Sequence, residues 1–154
     1  MYALKQYEFV QESRNVLSKY CQTIRPDDFI DQNFSFGRGG SIRNLLVHII
    51  NTYEFWIAGI ALKKDVIYSK YEAHENIQDV IQSFAYIDRL MSKFFELMKK
   101  SDIEIEYEIK GTKNSIEPLK LFTHVITHEY HHKGQILSLN RHLGYIPADT
   151  DIIR

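Results

Sequence analysis

The stretch THVITHEYHHKGQ, residues 123 to 135, decides how the rest of the chain is read. Four of the seven histidines, His124, His128, His131 and His132, fall inside ten residues of a segment with the apolar spacing of a helix. A helical residue turns the chain by about 100°, so His128 and His132 stand one above the other on nearly the same face. With Phe122, Val125, Ile136, Leu139 and Leu143 marking the buried stripe, His132 falls within roughly 20° of its centre and His128 within roughly 60°. His124, His131 and His142 sit roughly 100° to 120° away, at the rim or beyond. Two imidazoles at i and i+4 can grip one metal ion, and an unpartnered imidazole is costly to bury. On spacing alone, a polar core pair and a histidine-rich solvent face remain the alternatives.

Working outward, Pro118 suits a helix start and Gly144 a helix end. They bound a fourth helix over 118–143, about 39 Å long at 1.5 Å per residue, with the histidines near its middle. Just upstream, IEIEYEIK at 103–110 changes to a period of two, which predicts a strand with its glutamates on a solvated face. A turn over 111–115 makes this a short β-hairpin between the third and fourth helices, folded over one end of them. The third helix is predicted over 77–100, with Ile77, Val80, Ile81, Phe84, Ile87, Met91, Phe94, Phe95 and Met98 in register. Lys99 and Lys100 at its end suit the helix dipole.

The polar connection 63–76 places His74 on a surface loop. Before it, Ser41 is a good N-cap for a second helix over 42–62, striped by Ile42, Leu45, Leu46, Ile49, Tyr53, Trp56, Ile57 and Ile60. His48 lies on the flank of that stripe near Thr52 and Gly59, while Glu54 reads as solvated. The segment 31–40 is a loop whose Phe34 and Phe36 cap the end of a core or, as the alternative, line a pocket. A first helix over 3–24 carries Ala3, Val10, Leu17 and Ile24 seven apart, with Tyr7, Tyr20 and Cys21 between them, and Pro26 with Asp27 and Asp28 ends it. Four long amphipathic helices and one hairpin predict an all-α four-helix bundle, a single domain over 1–154 with no internal repeat.

Composition removes several functions. Nineteen Lys and Arg nearly balance 20 Asp and Glu, so no concentrated basic charge points to nucleic acid. No apolar run is long enough to span a membrane, and the charged N-terminal stretch lacks a signal peptide pattern. The single Cys21 cannot form an internal disulfide and reads as a small core residue, which fits a reducing cytoplasm.

Residues 128 to 132 spell H-E-x-x-H, the zinc-protease signature in which two helical histidines bind zinc and the glutamate activates water. The surroundings disfavour it. No glutamate follows Glu129, positions 135 and 138 of the extended signature hold Gln and Ser, and only 22 residues remain after His132. Little sheet is available to bind a peptide by strand addition.

The run L-L-x-H-I-I in the second helix, the 123–136 stretch, and R-H-L-G-Y-I-P-A-D-T-D near the end together resemble the DinB family, the DinB/YfiT-like metal-binding four-helix proteins. The similarity covers essentially the whole chain, and the pattern H-x-x-x-H-[RK]-G-Q with a lone histidine in the second helix is specific. The resemblance implies a divalent metal, zinc or nickel, held by His48, His128 and His132. Of these, His48 rests on the resemblance; the helical spacing had singled out only the other two. It also implies, for some relatives, transfer or isomerisation with a low-molecular-weight thiol such as bacillithiol or mycothiol, acting on a small-molecule substrate. The rival expectation is a non-catalytic metal-binding or stress-response bundle. Homodimerisation is common in such proteins and suits the 10 Tyr, 9 Phe and 1 Trp. Gln135, Thr52 or Glu129 are the groups expected to orient the imidazoles, and Lys133 is expected at the surface.

Overall fold

The computed structural model describes residues 2–33, 40–100 and 103–154. The seven-residue spacing of Ala3, Val10 and Leu17 folds as α1 (Tyr2–Cys21), with all three buried on one face. The helix stops three residues short of Ile24, which is buried in the turn that follows. Pro26 begins a helix here instead of ending one. It occupies the first turn of the short α2 (Pro26–Ile30), where its missing N–H costs nothing and Asp27 and Asp28 complement the dipole. Phe34 and Phe36 lie outside the described residues.

Ser41 caps α3 (Ile42–Tyr53) as expected, its hydroxyl oxygen accepting from the Asn44 backbone N–H at 3.0 Å. Beyond Tyr53 the winding loosens into a π-helical segment, Glu54–Ala61. Hydrogen bonds there reach one residue further than in an α-helix, so each residue advances the face by less than 100° and the α-periodic stripe loses register. Trp56 and Ile60 are consequently half-buried, and Glu54 is buried. Glu54 was expected in solvent; its carboxylate instead accepts from the backbone N–H and the hydroxyl of Ser69, both at 3.0 Å. His74 is also buried, not a surface residue, because its two ring nitrogens bond the Lys70 carbonyl at 2.9 Å and the Ser83 hydroxyl at 2.8 Å. These bonds fasten the polar connection to the bundle.

Asn76 and Asp79 form a reciprocal capping box that opens α4 (Ile77–Met98). The strands β1 (Ile105–Ile109) and β2 (Thr112–Ile116) pair antiparallel, Ile105 opposite Ile116 and Ile109 opposite Thr112. Lys110 and Gly111 connect them with φ of 51° and 78°, the left-handed pair that a two-residue hairpin turn requires. Glu104, Glu106 and Glu108 are exposed, as the alternation predicted. Helix α5 (Pro118–His142) starts at its proline and ends at Gly144, φ 89°. There the Tyr145 N–H bonds the Asn140 carbonyl and the Gly144 N–H that of Arg141, the double closure that satisfies a helix C-terminus.

Helices α3 and α5 pack on each other, α1 lies against both α4 and α5, and α3 also contacts α4, which closes the four-helix bundle. Tyr53, Phe94, Phe122, Leu17, Leu45 and Met91 fill its interior. No helix among the described residues is long and apolar enough to cross a membrane. Cys21 is 3% exposed, and burial pushes its thiol up to about 12. Native chain is therefore expected to react with an aromatic disulfide reagent orders of magnitude more slowly than chain in guanidinium, read by absorbance. Equal rates would contradict the burial of this thiol.

Candidate metal centre

His128 and His132 project from the middle of α5 toward His48 on α3. Ring centroids are 5.0 Å apart for His48 and His128, 4.7 Å for His48 and His132, and 4.4 Å for His128 and His132. One nitrogen from each ring lies within 4.8 Å of the others. Nε2 of His128 and Nε2 of His132 face each other at 3.1 Å. Two imidazole nitrogens on one tetrahedral zinc, each about 2.0–2.1 Å from it, stand roughly 3.3 Å apart, so this spacing fits a shared ion.

The protonation pattern also fits. His132 donates its Nδ1–H to Gln135 Oε1 at 2.7 Å, which leaves the lone pair on Nε2, the nitrogen that faces the group. Burial, reinforced by the neighbouring His132 and His48, pushes His128 down to about 3. His132 is lowered as well, burial outweighing the Gln135 bond. Both rings are neutral near pH 7, the form that coordinates metals. Thr52 Oγ1 stands 3.4 Å from His128 Nε2 while its hydroxyl donates to the His48 carbonyl at 2.9 Å. His128 Nδ1 is buried and has no hydrogen-bond partner among the described residues.

The structure therefore brings together the three histidines of the expected ligand set, with Gln135 as the orienting group. His131 and His124 remain exposed at the rim. Two expectations fail here. Glu129 does not orient an imidazole; it is completely buried on the side of α5 that faces α1. Its carboxylate accepts from Arg14 Nε at 2.9 Å, from a second Arg14 nitrogen at 2.8 Å and from the Tyr53 hydroxyl at 2.7 Å. With both oxygens occupied by Arg14 and Tyr53, it cannot serve as the water-activating base of H-E-x-x-H. Lys133, expected at the surface, is 2% exposed. Its amine donates to Ser13 Oγ and lies 3.9 Å from the centre of the Tyr130 ring, and burial pushes it down to about 8. The Ser13 hydroxyl in turn donates to the Thr150 carbonyl and holds the C-terminal segment against α1.

The Arg14 network escaped the sequence reading altogether. Arg14 also bonds Asp88 at 2.8 Å and lies over the Phe84 ring at 4.3 Å, and Tyr7 donates to Asp88 at 2.6 Å. Burial works against the Arg14 charge, but Glu129 and the flanking tyrosines outweigh it and hold the guanidinium firmly charged. Two signals were there to read: Arg14 continues the stripe Tyr7, Val10, Leu17, and Glu129 lies on the stripe Val125, His132, Ile136.

A four-helix bundle with one histidine on its second long helix and an i, i+4 pair on its last agrees with the comparison of the chain with known families. The model of the DinB family matches residues 1–154, the full length. The chain belongs to the DinB family. No curated protein matches it in sequence. Within this DinB bundle, three histidines are positioned to hold a divalent metal ion.

Proposed function

We propose that this DinB chain holds one zinc or nickel ion on His48, His128 and His132 and uses it to transfer a low-molecular-weight thiol, of the bacillithiol kind, to a small-molecule substrate. The observation that carries the reading is the convergence of three ring nitrogens within 4.8 Å, two of them 3.1 Å apart and neutral. A divalent ion with three imidazole ligands keeps a position open and lowers the pKa of a thiol or water placed there.

The chain's own contribution is positional. Gln135 fixes the His132 tautomer, burial keeps His128 and His132 unprotonated, and the packed α3–α5 seam holds His48 opposite them. The net reaction exchanges the thiol hydrogen for a substrate carbon and releases the leaving group in protonated form. A reducing cytoplasm suits a thiol-dependent reaction and a chain whose one cysteine is buried.

The test begins with elemental analysis of the chain purified without a histidine tag. About one zinc or nickel per chain is expected, together with consumption of a low-molecular-weight thiol when an electrophilic substrate is supplied. Because the divalent affinity order favours nickel and copper over several competitors, the metal is best compared after expression in media of defined content. A metal-loaded chain that neither binds nor consumes thiols would leave a metal-binding bundle without this activity.

A further inference from the structure

The seam that carries the three histidines continues into a row of aromatic rings. His48 on α3 stands beside His128 and His132 of α5, and Thr52, one turn further along α3, meets His128. Trp56, another turn on, meets His124, with ring centroids 5.2 Å apart and planes at 75°. The two helices therefore run antiparallel here. His124 is 6.2 Å from His128, so the Trp56–His124 pair sits next to the centre along the seam.

Trp56 is also edge-on to Phe55 at 5.0 Å and to Tyr107 of β1 at 5.5 Å. The π-helical winding accounts for this placement: an α-helical Trp56 would continue the stripe of Tyr53 and Ile49 into the core, whereas here the indole stays half-buried and His124 exposed. A hollow of about 430 Å³ borders His124 together with Thr123 and Thr127, and one of about 680 Å³ borders Tyr107 together with Lys63 and Ser115.

We propose that Trp56, His124 and Tyr107 form a ring-binding wall beside the metal centre, and that the small-molecule substrate that accepts the thiol carries a flat aromatic group one to two helical turns, about 5–11 Å, from the metal-bound sulfur. This rests on the metal and thiol reading given above. Aromatic rings pair at centroid distances of about 4.5–7 Å in stacked or edge-on arrangements, and three perpendicular neighbours hold the indole in place before a ligand arrives. An immobilised ring binds another ring with little loss of conformational freedom.

The nickel-loaded full chain would be titrated with 4-phenylbutane-1-thiol, a probe that joins a thiol head to a ring at that distance, and with 4-cyclohexylbutane-1-thiol, which matches it in length and apolar bulk without a flat ring. Thiol binding is read by thiolate-to-metal absorption, and the ring by fluorescence of Trp56, the chain's one tryptophan. The aromatic thiol is expected to bind about fivefold more tightly and to change the tryptophan emission. Trp56→Ala removes the preference, Trp56→Phe keeps most of it, and both variants load as much nickel as the parent. Equal affinities, or a preference that survives Trp56→Ala, would overturn the wall and leave the metal reading standing. Nickel loading without an absorption band for either thiol would overturn the metal-bound sulfur and the wall together, and a chain that takes up no nickel would remove the metal reading as well.

Discussion

Glu129→Ala is expected to lower the stability of the chain by about 3–5 kcal/mol, because it strands a charged guanidinium in the bundle interior. Arg14 is 4% exposed and Glu129 fully buried, so water cannot replace the lost carboxylate. The Tyr53 hydroxyl loses its acceptor in the same stroke. Asp88, a third exposed, still pairs with Arg14 and holds the loss toward the lower end of that range. Arg14→Met is expected to cost a similar amount by stranding Glu129. The double variant Arg14→Met, Glu129→Leu should recover much of both losses, since two apolar side chains of similar volume leave no buried charge unpaired. Urea unfolding of the parent, Glu129→Leu, Arg14→Met and the double variant measures the coupling directly, with Glu129→Ala alongside. Additive losses, or a Glu129→Ala chain within about 1 kcal/mol of the parent, would mean that the network contributes little. A glutamate that activated water in a protease would behave in the opposite way: Glu129→Gln would abolish hydrolysis and leave stability nearly unchanged.

The same two charges show what was legible in the sequence. Periodicity located the helices because apolar residues recur at 3.6-residue spacing wherever a helix faces a core, and the caps at Ser41, Pro118 and Gly144 sharpened the ends. The hairpin was legible because its period of two stands apart from its helical neighbours. His128 and His132 were legible from their angle to the stripe, and His48 came only with the family resemblance, since a lone flank histidine has no spacing partner. What periodicity could not provide was pairing across the bundle. Arg14 and Glu129 each sit on an apolar stripe, but 115 residues separate them, and only the packing of α1 on α5 brings them together. Trp56 was misplaced for a different reason: a constant 100° step was applied to a segment that winds as a π-helix, so the error grows with each residue after Tyr53. Glu54 was misplaced because the connection folds back over it and Ser69 bonds its carboxylate. His74 and Lys133 were assigned to solvent by residue type, whereas each has hydrogen-bond or ring partners that make its burial tolerable.

Zinc is expected to raise the melting temperature of the parent chain and to leave those of His48→Ala and His128→Ala unmoved. An ion that binds only the folded state stabilises it by about 4 kcal/mol at a thousand times its dissociation constant, and losing one of three ligands removes most of that affinity. Gln135→Leu should retain the ion with an affinity lowered about 10–100-fold, because the His132 ring keeps its nitrogen but loses the acceptor that fixes its tautomer. The pH dependence separates this centre from a merely crowded set of histidines. In metal-free protein, His128 is held near 3 against an ordinary value of 6.5, so the unfolded chain takes up the proton first. Stability is thus intact above about pH 6.5 and falls as the pH drops toward 3, and the lowered value of His132 adds to the same slope. His128→Ala removes one of these groups and should flatten the acid limb, even without metal. Melting curves between pH 7 and 4, with and without zinc, contain both results. A zinc-dependent shift that persists in His128→Ala would place the ion elsewhere, and an unchanged acid limb in that variant would mean that the buried imidazole is not what acid protonates.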